Sequence, residues 1–156
     1  MPVHALVGHL VLITAPLTAL LAVVYAWRPA ARRGMRTPLA MAAVLNLALA
    51  TWAEGAGSAL YDTLQTSARN AGGELPAAAL DHAHQGDALT VASFVLLVTV
   101  LTVVWRTLAP GRERKASGVI ASCVLAVAAA AVCWYAGAAL IEGLNAVWAQ
   151  HPGWLP

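Results

Sequence analysis

Four long apolar runs, interrupted only by isolated polar positions, divide the chain at about Ala5 to Trp27, Pro38 to Tyr61, His82 to Leu108 and Ser117 to Trp148. Each meets the ~20 residues that a helix rising ~1.5 Å per residue needs to cross ~30 Å of hydrocarbon. The turn signals and most of the charge lie between the runs. Arg28-Pro29 ends the first, and Pro38 suits the first turn of the second. Asn70-Ala-Gly-Gly73 and Pro76 break a connection over residues 62–80, which has room for short interfacial helices. Ala109-Pro110-Gly111 closes the third run. The pattern predicts one all-α domain over residues 1–156, an integral membrane four-helix bundle of up-down-up-down topology with helices at 5–27, 38–61, 82–108 and 117–148. Pro16 removes a backbone hydrogen bond in mid-helix and frees the Leu12 carbonyl, which predicts a kink.

Composition agrees with this pattern. The chain is 60% hydrophobic and only 10% charged, with a mean hydropathy of +0.71, whereas an ordinary soluble domain is charged at about 25% of positions. The first run lacks a basic segment before it and a small-residue cleavage site after it, so it reads as a retained transmembrane helix rather than a cleaved leader. A formal charge of +2 does not support nucleic-acid binding. The basic residues follow topology instead: Arg28, Arg32, Arg33 and Arg36 fill the first connection, Arg106, Arg112, Arg114 and Lys115 the third, and only Arg69 lies in the second. Short loops rich in Lys and Arg stay cytoplasmic. Both termini, the loop over residues 62–80 and all five histidines are therefore expected on the extracytoplasmic side of a bacterial cell membrane. Cys123 and Cys133 lie ten residues apart on one helix, about 15 Å and too far for a disulfide.

The candidate chemistry sits at the outer end. Four of the five histidines fall in His4-Ala-Leu-Val-Gly-His9 and Asp81-His82-Ala-His84-Gln-Gly-Asp87. Ionisable groups at membrane depth are costly unless partnered, so their clustering points to a site. His9, Glu54, Asp87 and Glu142 lie at similar depth, one from each helix. In an up-down-up-down bundle the first and third helices are diagonal, as are the second and fourth. Histidines can then meet across the axis, with carboxylates on the other diagonal. Ala43, Ala50, Glu54 and Gly57 share a stripe of small residues, which directs Glu54 inward. Asp87 stands three residues from His84 and can orient its imidazole. His4 and His9 are five apart, about 140° around a helix, so one ligand is expected from each pair. The deeper His9 and His84 are the choice, with His4 and His82 as alternates.

These residues resemble an uncharacterised family of small bacterial four-helix membrane proteins whose first helix opens with a His-Pro-x-x-Val-His-Phe signature. His4-Ala-Leu-Val-Gly-His9-Leu keeps both histidines at that spacing, Ala59-Leu-Tyr-Asp62 approximates the family's Gly-x-x-Asp-aromatic pattern, and His82 or His84 matches a histidine opening its third helix. Gly137-Ala-Ala-Leu-Ile-Glu142 loosely follows its Gly-Gly-x-Leu-Val-Tyr stretch. Ala5, Gly8, Leu10 and Glu142 depart from the pattern. The resemblance spans most of the chain, and it implies a membrane function associated with redox modules.

Three functional readings follow. His9 and His84, or His4 and His82, are axial ligands of a b-type haem in an electron-transfer protein. Alternatively, His9, His84, Glu54, Asp87 and Glu142 ligate copper, zinc or iron. In the third reading the protein binds no cofactor and serves as an accessory or assembly subunit, its Gly118, Ser122, Ala126, Ala129 and Cys133 stripe docking another membrane or respiratory subunit within the lipid bilayer. A homo-oligomer is compatible with all three. No nucleophile with an activating base and no phosphate loop supports an enzyme.

Overall fold

The computed structural model describes residues 3–111 and 115–148; Arg112, Glu113, Arg114 and the tail with His151 and Trp154 lie outside them. Four α-helices account for most of the described chain: α1 Val3–Trp27, α2 Arg32–Asn70, α3 Ala77–Thr102 and α4 Ala116–Trp148. A 3-10 turn, Pro29–Ala31, joins α1 to α2, and α3 runs on into a π turn, Val103–Thr107. All four helices are long and apolar enough to cross a membrane, and the chain is a multi-pass membrane protein. Each helix packs on its sequence neighbours and α4 closes the ring against α1, which leaves α1 diagonal to α3 and α2 to α4.

The core mixes alanines with larger residues such as Tyr25, Leu39, Leu96, Leu125 and Val132. Ala15, Ala19, Ala22, Ala43, Ala50, Ala128, Ala129 and Ala136 are buried, while Ile13, Leu20, Met41, Val91, Ile120, Val127 and Trp134 are exposed. Lipid solvates large aliphatic side chains as well as a protein core does, so close backbone approach and interhelical hydrogen bonds hold such a bundle together. Asn46 supplies one polar layer at mid-depth, donating to Ser93 Oγ at 2.9 Å and accepting from Thr14 at 3.3 Å.

Helix ends differ from the sequence-based expectation for physical reasons. α2 continues past Tyr61 to Asn70, and the expected loop shrinks to a turn at residues 71–76. No helix breaker interrupts Asp62-Thr-Leu-Gln-Thr-Ser-Ala-Arg69, and Thr63, Thr66 and Ser67 each bond the carbonyl four residues back. The helix stops where Gly72 takes φ +74°. There Gly73 N–H bonds the Ala68 carbonyl at 2.9 Å and Gly72 N–H the Arg69 carbonyl at 3.0 Å, the pair of bonds that closes a glycine-capped helix. At its other end α2 begins at Arg32 and takes Pro38 inside the helix rather than at its start. α1 runs through Pro16 without a break in helix.

Arg32 explains the early start. Its side chain is buried and donates from Nε to the Tyr25 carbonyl at 3.1 Å and from Nη2 to the Ala26 carbonyl at 2.9 Å. Ser122 adds a bond to the Ala26 carbonyl at 3.1 Å. Carbonyls at a helix C-terminus have no partner within the helix, and a cation there also complements the dipole. The Tyr25 hydroxyl crosses to the diagonal and donates to the Leu108 carbonyl at 3.0 Å, just beyond the π turn. The arginine-rich end is thus closed by side chains bonded to backbone. Arg32→Leu removes the side-chain donor from the Tyr25 carbonyl and one of the two from the Ala26 carbonyl, and is expected to lower the unfolding free energy by about 1–3 kcal/mol. Exposed Arg33→Leu changes it by no more than about 0.5 kcal/mol, and SDS titration in mixed micelles measures both.

Candidate metal centre

At the opposite end, the first turn of α1 and the second turn of α3 bring His4 and His82 together across the bundle axis. Their Nε2 atoms stand 3.4 Å apart. The rings meet edge to face, with centroids 5.6 Å apart and planes at 79°. Both side chains are half-buried. His4 Nδ1 lies 2.9 Å from the Ala53 carbonyl of α2, and His82 Nδ1 lies 2.9 Å from the Ala139 carbonyl of α4. A carbonyl oxygen only accepts, so each Nδ1 carries the proton, and in the neutral ring each Nε2 is then a bare lone pair. The two Nε2 atoms stand within hydrogen-bonding distance, where a proton on one can be donated to the lone pair of the other.

Glycine makes this approach possible. The Ala53 carbonyl already accepts the N–H four residues on, that of Gly57, as every helical carbonyl does. The imidazole reaches the remaining lone pair by lying against Gly57, where an added Cβ would stand 2.9 Å from both Cε1 and Nδ1 of His4. Gly143 repeats the arrangement on α4, where a Cβ would lie 3.1 Å from His82 Cε1 and 3.2 Å from Nδ1. All four helices therefore take part: two give imidazoles, and two give a carbonyl and a bare stretch of backbone.

The remaining expected residues are placed elsewhere. His9 is exposed and bonds through Nδ1 to the Ala5 carbonyl on its own helix. His84, Asp81 and Asp87 are exposed on α3. The structure thus joins the shallower histidine of each pair and leaves His9 and His84 apart from the axis. The cause is helical phase: His4 and His82 share the inward stripe with Val11 and Leu89, and a step of two or five residues leaves it. Glu54 and Glu142 are half-buried, and Asn145 Nδ2 donates to the Glu142 carboxylate at 3.3 Å. Among the described residues no group of three or more His, Cys, Asp or Glu side chains stands together as a metal-binding set. Cys123 and Cys133 are exposed free thiols. No family model, curated protein or solved structure matches the chain.

A signal for the His4–His82 contact exists in the sequence as an internal repeat. Displacing the chain by 78 residues lays His4-Ala5-x-x-Gly8 on His82-Ala83-x-x-Gly86 and Trp27-Arg28 on Trp105-Arg106. The buried positions Val11, Ala15, Ala22 and Ala26 fall on the buried positions Leu89, Ser93, Val100 and Val104. A displacement of 86 residues lays Leu39, Ala43, Ala50, Ala53 and Gly57 on Leu125, Ala129, Ala136, Ala139 and Gly143. The α1–α2 hairpin is thus repeated as α3–α4 about an approximate two-fold axis along the bundle, and each half brings its histidine, carbonyl and glycine. Parallel repeats of this kind place their shared site at the repeat interface. Gly57→Ala forces His4 off the Ala53 carbonyl and is expected to cost about 1–3 kcal/mol of stability. Gly55→Ala, whose Cβ meets nothing within 4 Å, is neutral or stabilising by up to about 1 kcal/mol. Thermal or SDS unfolding of the two variants compares them directly.

Proposed function

We propose that this multi-pass membrane protein holds a transition-metal ion between His4 and His82, near the extracytoplasmic end of the bundle, and serves electron transfer or metal handling there. The observation that carries this reading is the close approach of the two Nε2 atoms, 3.4 Å apart, with each ring's Nδ1 held 2.9 Å from a backbone carbonyl. Neutral imidazole suits zinc, copper and iron alike. An ion held there would be bound through the Nε2 atoms of His4 and His82. Each ligand already donates its second ring N–H to a carbonyl, the usual outer-shell support that fixes a ligating imidazole. Two protein donors leave the other positions to solvent or an incoming ligand. A site so placed exchanges its ion, or electrons through it, with a partner outside the bilayer. The concentration of basic residues at the far end supports the orientation.

A b-type haem is the second reading, favoured by ligands at one depth on diagonal helices with glycines on both flanking helices. A bare ion asks for no space beyond the gap between the two rings, whereas a haem would need room for its macrocycle, so the bare ion is the better fit. Titration of the detergent-solubilised protein with Zn2+ and Cu+ tests the site. His4→Ala and His82→Ala are each expected to weaken binding at least about tenfold, while His9→Ala and His84→Ala stay within about threefold. A Soret band abolished by His4→Ala or His82→Ala would decide for haem. Metal binding and absorption unchanged in both variants would reject the proposal.

A further inference from the structure

At the arginine-rich end, Arg36 in the second turn of α2 lays its guanidinium over Trp105, which the π turn after α3 carries, with Cζ 4.5 Å from the ring centroid. An indole face attracts the cation through its quadrupole, and the edge of the planar fork, where the N–H groups point, must find acceptors elsewhere. Arg36 Nε is buried and has no acceptor among the described residues. The repeat shows that packing at this corner does not require a cation. Trp105 corresponds to Trp27, and Arg36 to Ser122, whose hydroxyl bonds the Ala26 carbonyl. Eight of the nine Lys and Arg flank the first and third connections, with only one of the seven Asp and Glu. Arg33, three residues before Arg36 and so on the same side of α2, is exposed. Away from the cations the surface turns apolar: Trp105 is 44% exposed, and Leu101 and Val98, one and two turns before it, are exposed on the same stripe.

We propose that this corner between α2 and α3 binds an anionic phospholipid, its phosphate received by Arg36 and Arg33 and an acyl chain laid along Trp105, Leu101 and Val98. Guanidinium donors match phosphate oxygens in pairs, and their charge compensates the headgroup. Tryptophan is at home at headgroup depth, and basic sites between membrane helices take anionic headgroups. A lipid fits better than a free anion because the cations and the apolar stripe adjoin, and one amphiphile covers both. The π turn that carries Trp105 is itself a feature that recurs at functional sites. This corner lies at the opposite end of the bundle from His4 and His82 and does not depend on the metal proposed there.

Native mass spectrometry of the full chain, released from detergent micelles with phosphatidylglycerol or phosphatidylcholine added, tests the site. The wild type is expected to hold one phosphatidylglycerol at least about fivefold more tightly than phosphatidylcholine. Arg36→Gln should lose that preference, and Arg36→Lys, which keeps the charge without the paired donors, should keep part of it. Trp105→Leu should weaken phosphatidylglycerol as well, by freeing the guanidinium from its stack. Lys115→Gln, which removes one exposed charge from the same end, is expected to stay within about twofold. A wild type that binds the two lipids equally would overturn the proposal, and that comparison stands even where a variant fails to fold. So would a preference that survives Arg36→Gln, or equal losses in Arg36→Gln and Lys115→Gln, which would leave only diffuse charge. Displacement of phosphatidylglycerol by inorganic phosphate would mark a free-anion site and overturn the assignment to lipid.

Discussion

A helical carbonyl that has already accepted its own N–H retains one lone pair, and the outer end of this bundle depends on two imidazoles reaching that lone pair. The bonds from His4 to the Ala53 carbonyl and from His82 to the Ala139 carbonyl, each 2.9 Å, fix tautomer, ring orientation and depth together. Neither bond forms unless the accepting helix is bare on that side, which Gly57 and Gly143 supply. The consequence is chemical. With both Nδ1 protons committed to carbonyls, the two Nε2 atoms meet 3.4 Å apart, where a shared proton or a bound ion would join the rings. Interhelical hydrogen bonds in membranes contribute only about 0.6 kcal/mol on average, so their weight here lies in geometry more than stability.

The rest of the bundle keeps those two rings in register. Alanine along the inward stripes brings the helices close, the Asn46–Ser93 bond ties α2 to α3 at mid-depth, and Arg32 with Tyr25 and Ser122 closes the far end. These contacts link α1 to α2, α3 and α4, so the two hairpins are joined below the site. At the site itself each histidine is bonded within its own hairpin, and the two halves meet there through the imidazoles.

The fold was legible in the sequence because lipid imposes length and composition on every crossing helix, and the four apolar runs satisfied both. Helix ends were less legible. Gly72 and Gly73 marked the true end of α2, but the polar stretch before them read as loop because it leaves the apolar pattern while remaining a competent helix. The outer histidine cluster was visible from composition, and the diagonal placement of the first and third helices followed from topology. The pairing within the cluster was not, because depth along the helix and helical phase point to different histidines. His9 and His84 lie deeper along the chain, yet His4 and His82 share the inward stripe. The carbonyl and glycine partners were beyond reach of single-helix reasoning, since a backbone acceptor has no residue signature. Comparing the two halves would have exposed them, since His4, Ala53 and Gly57 recur as His82, Ala139 and Gly143.

The central claim is that two imidazole nitrogens from opposite hairpins converge on a single ion. Extended X-ray absorption fine structure at the zinc edge of the detergent-solubilised protein, loaded with one equivalent of Zn2+, tests it most directly. The account predicts a nitrogen or oxygen shell near ~2.0 Å with outer-shell scattering from two imidazoles, falling to one in His82→Ala. A spectrum with no imidazole scattering, or one unaltered by His82→Ala, would contradict it.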